Sequence, residues 1–263
     1  MTRPAILVTG GATRIGAALV TGFARAGWHA LIHYNSSGDA AEELARSLPS
    51  AETVRCDLAD DEAARAMIED LAARLPDWRC LVNSAALFEY DGVTDCDRET
   101  YHRAMQVNAL SPARMAQAFL AHARSGAGRV VIQVTDMKIA NPNPDFFSYT
   151  MSKHALAATI AMLAKGAMLA KGAARTEDRI YGLAPGAILA SHDQREEETE
   201  VSHRLNLLGR KTGVEEIVAA ARFLATRAMR SGSSIFVDSG QHLLDQDRDV
   251  IWLAREKVSK GMA

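Results

Sequence analysis

Short apolar runs alternate with longer stretches of helical periodicity along most of the chain. The apolar runs predict strands at 5–9, 29–34, 53–56, 79–85, 129–135, 179–184 and 234–238. The helical pattern predicts helices at about 15–26, 40–48, 61–75, 98–124 and 214–225, and a further helix around Tyr149. Apolar strands that alternate with helices are typical of a parallel sheet covered on both faces. We therefore predict an α/β fold, a single Rossmann-type doubly wound domain with a mostly parallel sheet of about seven strands.

No Pro- or Ser-rich linker interrupts this pattern. Residues 1–263 are therefore predicted to form one domain. Its dinucleotide-binding half is expected at about 1–135, and its catalytic and substrate half at about 136–263.

Three segments depart from the regular pattern. The helix at 98–124 is expected to break near Ser111 and Pro112. The hexapeptide MLAKGA occurs twice, at 162–167 and 168–173, which we interpret as a tolerated insertion near a helix end. The acidic run REEETE at 195–200 is interpreted as a solvated, mobile flap.

The composition argues against several classes of function. With 30 basic and 32 acidic residues the formal charge is −2, which gives no electrostatic reason to expect nucleic acid or an acidic membrane as partner. Three cysteines without CxxC spacing and eight scattered histidines without HExxH predict neither a disulfide framework nor a metal site. The first apolar run begins at residue 5 and none reaches about 18 residues, so we expect no signal peptide, no membrane span and a cytoplasmic location.

The segment YTMSK places Tyr149 and Lys153 one helical turn apart, and Asp136 lies thirteen residues before the tyrosine. Side chains at i and i+4 share one face of a helix. A nearby cation favours phenolate over phenol, so it lowers a pKa that starts near ~10. Such a tyrosine can move a proton near neutral pH, which predicts a catalytic site if the chain also binds a redox cofactor.

A glycine-rich turn follows the first predicted strand. Glycines between a strand and a helix let backbone N–H groups approach a pyrophosphate at the positive end of the helix. This is the first strand–helix turn of the chain, where dinucleotide folds place it. Its residues expected to contact a cofactor are Gly10, Thr13, Arg14, Ile15 and Gly16.

The next three strands end in residues suited to the rest of a dinucleotide. After the second strand no acid occurs before Asp39, whereas an NAD-binding fold usually has one there for the ribose 2′-hydroxyl. Amide and hydroxyl groups can instead bond to a 2′-phosphate, so the run favours NADP(H). The expected cofactor-binding residues at these strand ends are His33, Tyr34, Asn35, Ser36, Ser37, Asp57, Leu58, Asn83, Ser84 and Ala85.

In this order the motifs resemble the short-chain dehydrogenase/reductase family over nearly the whole chain. The matching segments are TGGATRIG (9–16), CDL (56–58), NSA (83–85), the asparagine of MQVNALSP, YTMSK (149–153), APG (184–186) and FVDSG (236–240). The resemblance implies a Rossmann-type fold, a tetramer or dimer, of which we expect a homotetramer, and a nicotinamide cofactor that also contacts Pro185, Gly186 and Ile188.

The resemblance also implies roles for the catalytic residues. Tyr149 is the expected proton donor. Lys153 is expected to hold the nicotinamide ribose and to lower the tyrosine pKa, and Asn108 to support a water-linked proton relay. The tail at 243–263, which carries Arg248, Trp252 and Arg255, is a candidate to approach the site of a partner subunit.

Four departures from the common family pattern are similar to the pteridine reductase and dihydromonapterin reductase subgroup. They are Arg14 in the glycine turn, Asp136 in place of the usual serine, HYNSS after the second strand, and Phe88 after NSA. An ionised aspartate only accepts hydrogen bonds, so it disfavours a ketone oxygen and favours a ring that presents N–H groups. Across ~4 Å at an effective dielectric of ~20, its charge should also raise the pKa of Tyr149 by about three units, against the effect of Lys153.

We therefore expect an NADPH-dependent reductase of a pteridine C=N bond, with Tyr149 as proton donor. The expected substrate-binding residues are Arg14, Phe88, Asp136 and Tyr149, where the phenylalanine can stack on a flat ring.

Two alternatives stay open. The first is a carbonyl or 3-oxoacyl reductase that tolerates Asp136. The second is a catalytically silent NADP-binding protein, which the MLAKGA repeat leaves open. Thr13 and Ser36 also leave it open, because they stand where the subgroup is often basic.

Overall fold

Seven parallel strands form one sheet in the computed structural model, which describes residues 3–169, 177–191 and 193–261. The strands are β1 (Ala5–Val8), β2 (His29–Tyr34), β3 (Ala51–Arg55), β4 (Trp78–Asn83), β5 (Val130–Val134), β6 (Arg179–Pro185) and β7 (Ser234–Val237). They lie in the order β3-β2-β1-β4-β5-β6-β7, and every neighbouring pair is parallel. The predicted doubly wound α/β domain is confirmed.

Helices cover both faces of this sheet. Within the described ranges they are α1 (Arg14–Arg25), α2 (Gly38–Ser47), α3 (Asp61–Arg74), α4 (Arg98–Met105), α5 (Ser111–His122), α6 (Phe147–Leu169), α7 (Glu196–Ser202), α8 (Val214–Ala225) and α9 (Val250–Ser259). Successive side chains of a strand point to opposite faces. Leu7 therefore packs in one core with α3, α5 and α6, whereas Ile6 and Val8 pack in the other with α1, α2 and α8.

The helix predicted at 98–124 is divided into three pieces. Between α4 and α5 lies a π-helical turn of five residues, Gln106–Leu110. Pro112 sits in the first turn of α5 and supplies no backbone N–H to the π-helical turn before it. The break was predicted near Ser111 and Pro112, and the structure places it over the five residues before them.

Among the described residues, two α-helices occur where none was predicted. The acidic segment at 195–200 forms most of α7, so the prediction of a fully solvated segment was wrong at the buried Glu198, and its mobility stays a prediction. Three glutamates in the first turn favour a helix by interacting with its positive end. Glu198 is buried and accepts a hydrogen bond of 3.1 Å from the backbone N–H of Arg195. The other unpredicted helix is α9, in the tail.

The helix α6 carries Tyr149 and Lys153 near its start. The first MLAKGA copy lies inside α6, whereas 170–173 of the second copy lie outside the described residues. Neither α6 nor any other helix in the described ranges is long and apolar enough to cross a bilayer.

Candidate active site

The turn from β1 into α1 is closed by glycines that leave no room for a side chain. Gly10 has a φ of 64°, and a Cβ there would lie 3.0 Å from the Cα of Ala85. A Cβ on Gly16 would lie 2.0 Å from the carbonyl oxygen of Gly10. No side chain therefore covers the backbone at the N-terminus of α1, where N–H groups and the helix dipole favour binding of an anion.

Two cavities meet over this turn. One has a volume of about 270 Å³ and the other about 400 Å³, and Gly10, Thr13 and Ala85 line both. The smaller is also lined by the predicted residues His33, Tyr34, Asn35, Ser36, Ser37, Asp57 and Leu58. The larger is lined by the predicted residues Arg14, Ile15, Gly16, Ser84, Phe88, Asp136, Tyr149, Lys153, Pro185, Gly186 and Ile188. The structure thus brings most of the predicted site together along the carboxyl ends of the strands.

The side chain of His33 forms a hydrogen bond with the backbone of the glycine turn. Its Nδ1 accepts a hydrogen bond of 3.1 Å from the backbone N–H of Gly10. Nε2 therefore carries the proton and donates to the carbonyl oxygen of Cys56, also at 3.1 Å. Burial lowers the pKa of His33 to about 4, so the ring is neutral. Predicted as a cofactor contact, His33 uses both ring nitrogens to position the protein backbone.

The end of β4 is held against β1 by a residue that the sequence reasoning did not include. Thr9 is buried, and its Oγ1 accepts from the backbone N–H groups of Ser84 and Ala85 at 2.9 and 3.0 Å. Asn83 points inward instead, donating to Gln133 Oε1 at 2.8 Å. A threonine at a strand end is too common to be a signal without the neighbouring strand.

Asp136, Tyr149 and Lys153 lie together in the wall of the larger cavity. Tyr149 Oη donates a hydrogen bond of 2.7 Å to Asp136 Oδ2, closer than the ~4 Å assumed from sequence. Asp136 Oδ1 accepts from the backbone N–H of Lys138 at 2.9 Å. Lys153 Nζ donates to the carbonyl oxygen of Val134 at 2.8 Å and lies 5.6 Å from the centroid of the Tyr149 ring.

Burial and charge shift the proton affinities of these three groups. Burial, followed by the charge and the hydrogen bond of Asp136, raises the pKa of Tyr149 well above its ordinary value. Burial also raises the pKa of Asp136, and it lowers the pKa of Lys153 to about 8. The pKa of Tyr149 is therefore raised, as expected from Asp136, and is not lowered, as expected from Lys153.

Asn108 is fixed inside the π-helical turn. Its Oδ1 accepts from the backbone N–H of Leu87 at 2.8 Å, and its Nδ2 donates to the Leu87 carbonyl at 2.9 Å and to Ser152 Oγ at 3.0 Å. Ser152 in turn donates to the carbonyl oxygen of Tyr149 at 2.6 Å. Asn108 therefore ties the segment before Phe88 to the helix of Tyr149, and its role in a proton relay stays a prediction.

Two phenylalanine rings, Phe88 and Phe146, lie beside Tyr149. Phe88 stacks on Phe146 with ring centroids 4.0 Å apart and meets the Tyr149 ring edge-on at 4.7 Å. Phe146 has a φ of 54°, which a bulky residue adopts only at some cost. Sequence reasoning missed Phe146, because a phenylalanine in a loop gives no signal until its ring contacts are known.

The tail closes the same cavity. Asp249, Val250 and Ile251 line it, and Ile251 packs against Phe146 and Tyr149. The tail was considered as a candidate to approach a partner's site, and here it contributes to the site of its own chain. These three residues were missed because no motif marks them.

Several polar side chains also line the larger cavity. Arg14, with a φ of 53°, donates to the carbonyl oxygen of Leu189 at 3.3 Å. Gln194 Nε2 donates to Ser202 Oγ at 3.2 Å, and burial lowers the pKa of the neighbouring His203. These residues therefore offer the cavity neutral hydrogen-bonding groups alongside the guanidinium of Arg14.

The geometry agrees with a comparison against known protein families. A family model described as enoyl-(acyl carrier protein) reductase matches residues 10–242. The chain belongs to the short-chain dehydrogenase/reductase family. The match spans the glycine turn, the Asp136–Tyr149–Lys153 group and β7, so it covers both halves of the site.

Individual members of the family similar to this chain carry different activities in their names. The crystal structure of FolM alternative dihydrofolate reductase 1 from Brucella canis, complexed with NADP, is 32% identical with a TM-score of 0.83, and covers 94% of this chain and 96% of that one. A probable galactose dehydrogenase, GalD, of Rhizobium meliloti (strain 1021) is 28% identical over 245 residues, which are 89% of this chain and 93% of the relative. A dihydromonapterin reductase of Citrobacter koseri is 22% identical over 240 residues, 90% of this chain and 96% of the relative.

The glycine turn fits the cofactor of this family. Short-chain dehydrogenase/reductases use NAD(P), and a pyrophosphate needs the bare backbone that Gly10 and Gly16 provide at the start of α1. The expected nicotinamide cofactor is therefore confirmed, and the protein is an oxidoreductase of the short-chain dehydrogenase/reductase family.

Proposed function

We propose that this protein is an NADPH-dependent reductase that adds a hydride and a proton across a C=N bond of a pteridine. The observation that carries the proposal is the 2.7 Å hydrogen bond from Tyr149 Oη to Asp136 Oδ2 in a cavity lined by Phe88. The names of two relatives, an alternative dihydrofolate reductase and a dihydromonapterin reductase, agree with it.

Asp136 selects the class of substrate in this proposal. A carboxylate can only accept hydrogen bonds, so it offers nothing to a ketone oxygen. A pteridine carries ring and amino N–H groups beside its reducible bonds, and these can donate to Asp136. The flat ring would stack against Phe88, whose own stacking partner Phe146 supports it from behind.

The proposed cofactor is NADPH, which supplies the hydride when bound. Tyr34 ends β2, and Asn35, Ser36 and Ser37 follow it along the smaller cavity. This run lacks the acid that would bind the 2′-hydroxyl of NAD. Their amide and hydroxyl groups would bond to the 2′-phosphate instead. The pyrophosphate would lie on the glycine turn, and Lys153 would hold the nicotinamide ribose.

Tyr149 delivers the proton in this scheme. Its raised pKa keeps the O–H intact at neutral pH, so the proton is present when the ring nitrogen becomes basic. One C–H and one N–H bond form, the C=N π bond is lost, and the cofactor is oxidised by two electrons. The ammonium of Lys153 stabilises the phenolate that remains until a proton from solvent replaces the one transferred.

Turnover assays test the proposal. Purified protein would be given NADPH with dihydromonapterin, dihydrobiopterin, or a panel of ketones and 3-oxoacyl thioesters, and oxidation of the cofactor would be followed by absorbance. We expect turnover of a pterin. Turnover of a ketone without any pterin would instead indicate a carbonyl or 3-oxoacyl reductase. Binding of NADPH without turnover of any compound would indicate the catalytically silent protein.

The substitution Asp136→Ser separates the two classes of reductase. We expect kcat/KM for the pterin to fall on the order of 100-fold, since the acceptor for the substrate N–H and the partner of Tyr149 are both lost. Reduction of a ketone should improve, because a serine can donate to its oxygen. Asp70→Ser, at an exposed position of α3, is the matched control and should leave both activities unchanged. An Asp136→Ser protein that reduces the pterin as well as the wild type does would contradict the role of Asp136.

The homotetramer and the cytoplasmic location stay predictions that accompany this proposal. Analytical ultracentrifugation of the purified protein would measure the first, and fractionation of cells that produce it would measure the second.

A further inference from the structure

A buried ion pair lies beside Asp136 and takes part in no step described above. Lys138 Nζ lies 2.6 Å from Asp249 Oδ2, and the two side chains are 6% and 7% exposed. Lys138 Nζ also donates to Asn143 Oδ1 at 3.3 Å and to the carbonyl oxygen of Asp145 at 3.2 Å. A buried ion pair gives little net stability compared with apolar residues of the same size, so stability alone does not explain one in the wall of this cavity.

Lys138 is connected to Asp136 in two ways. Its backbone N–H donates to Asp136 Oδ1 at 2.9 Å, which fixes the orientation of the carboxylate. Its ammonium also lowers the pKa of Asp136, against the effect of burial, and does so more strongly than Lys153. The ammonium of Lys153 is directed at the carbonyl oxygen of Val134 instead.

Asp249 is itself held from two sides. Its Oδ1 caps α9 by accepting from the backbone N–H of Ile251 at 3.0 Å. Its own backbone N–H donates to Asp145 Oδ2 at 2.8 Å, and Arg248 binds both oxygens of Asp145, also at 2.8 Å. The position of Asp249, and with it that of the Lys138 ammonium, is therefore set by the folded tail.

We propose that Lys138 is a positioning residue that keeps Asp136 in its carboxylate form, and that Asp249 of the tail holds the Lys138 ammonium in place for this. The inference rests on the proposed pairing of Asp136 with Tyr149, but it does not require the substrate to be a pterin. Without the charge of Lys138, Asp136 would take up a proton more readily. It would then present an O–H donor where the substrate N–H needs an acceptor.

Other charged or titratable groups of the described residues lie around the same cavity. They are Tyr149 and Lys153 of α6, Arg14 of α1, His203 after α7 and Asp249 before α9, which line the same cavity, and Asp145 and Arg248, which pair with each other next to Lys138. Unlike these groups, Lys138 is a cation that shares a turn with Asp136 and also pairs with the tail, so its removal is the sharpest perturbation.

Nuclear magnetic resonance measures the inferred effect without any substrate. Carboxyl-carbon titration of full-length protein labelled at its aspartates gives the protonation midpoint of Asp136, whose signal is assigned by its loss in Asp136→Asn. In Lys138→Met we expect this midpoint to rise by about one pH unit, and Lys138→Arg, which keeps the charge, should restore it. The acid limb of the kcat/KM profile should move to higher pH by the same amount.

Two controls separate the charge of Lys138 from other effects. Arg248→Gln removes a neighbouring positive charge but keeps the Lys138–Asp249 pair and the hydrogen bond from the Asp249 backbone to Asp145, and Lys260→Met removes an exposed lysine just after α9. Neither should move the Asp136 midpoint.

The outcome that overturns the inference is an unmoved midpoint in a folded Lys138→Met protein, or an equal rise in Arg248→Gln. If Lys138→Met does not fold, Lys138→Gln replaces it, because the amide can still donate to Asn143 and Asp145, and the same rise is expected. A wild-type protein that turns over no pterin would overturn the proposed substrate, whereas the titration would still decide the role of Lys138.

Discussion

At the scale of single residues, the site depends on which nitrogen or oxygen holds each proton. Tyr149 donates to Asp136, so its proton is held more firmly than it would be beside Lys153 alone. His33 shows the same dependence at the other end of the groove. It serves the glycine turn only as a neutral ring, since Nδ1 must accept from the N–H of Gly10.

His33 makes the stability of the protein depend on pH. Its pKa is about 4 in the folded protein and 6.5 in the unfolded chain, so between these values the unfolded chain binds a proton that the folded protein excludes. The stabilisation is complete above about pH 6.5 and is lost as the pH falls, by about 3 kcal/mol at pH ~4. Urea unfolding at a series of pH values would measure this slope.

The matched variants for this measurement are His33→Gln and His102→Gln. In His33→Gln the free energy of unfolding should change less with pH between these values, by the equivalent of about one bound proton, because the buried titrating ring is gone. The second changes an exposed histidine of α4 and should leave the slope as it is. Equal slopes in wild type and His33→Gln would show that His33 is not the source.

At the scale of elements, the sequence predicted the strands and helices that follow a regular local pattern. It missed the elements that depend on contacts between residues far apart in the chain. The spacing of Tyr149 and Lys153 on one helix face, and the sign of the effect of Asp136, followed from local geometry. The π-helical turn did not, because its Asn108 is held by hydrogen bonds to Leu87, which lies 21 residues earlier. Likewise α9 is fixed by Asp145, which no local pattern connects to it.

The link between α9 and the rest of the site should be visible in stability. In Asp249→Asn the buried ammonium of Lys138 loses its anionic partner, so we expect the free energy of unfolding to fall by about 3 kcal/mol. Glu256→Gln breaks an exposed pair with Lys260 on the same helix, where solvent replaces the lost partner, and should show no measurable change. Denaturant unfolding at neutral pH measures the free energy of unfolding of both variants. Similar losses in both would contradict a larger contribution from the buried Lys138–Asp249 pair.

At the scale of the whole molecule, the site lies where the order of strands reverses. From β1 the chain adds β2 and β3 on one side and then returns to place β4 on the other, which opens a crevice at the carboxyl end of β1. The alternation of strands and helices was sufficient to predict this architecture. It could not predict how close β1 and β4 come, which Thr9 and Gly10 determine through contacts with Ala85.

Replacing Gly16 tests how closely the start of α1 packs against the backbone of Gly10 in this crevice. In Gly16→Ala the new methyl group would overlap the carbonyl oxygen of Gly10, so the turn must open. We expect the free energy of unfolding to fall by about 1–3 kcal/mol and the affinity for NADPH, measured by fluorescence titration, to fall at least ~10-fold. Gly166→Ala in α6, where nothing lies within 4 Å of the new methyl group, should instead add about 1 kcal/mol of stability without changing affinity. Unchanged NADPH binding by Gly16→Ala would contradict the assignment of the turn.

The position of Asp249 has a consequence for the order in which this protein is made. Asp249 follows Asp145, the residue that anchors it, by 104 positions. A ribosome has therefore produced the seven strands described above, the glycine turn and Tyr149 before it adds Asp249 and the two residues after it, which form part of the cavity wall. Because chains begin to fold from the N-terminal side during synthesis, a nascent protein can acquire its dinucleotide groove before it has a finished substrate pocket.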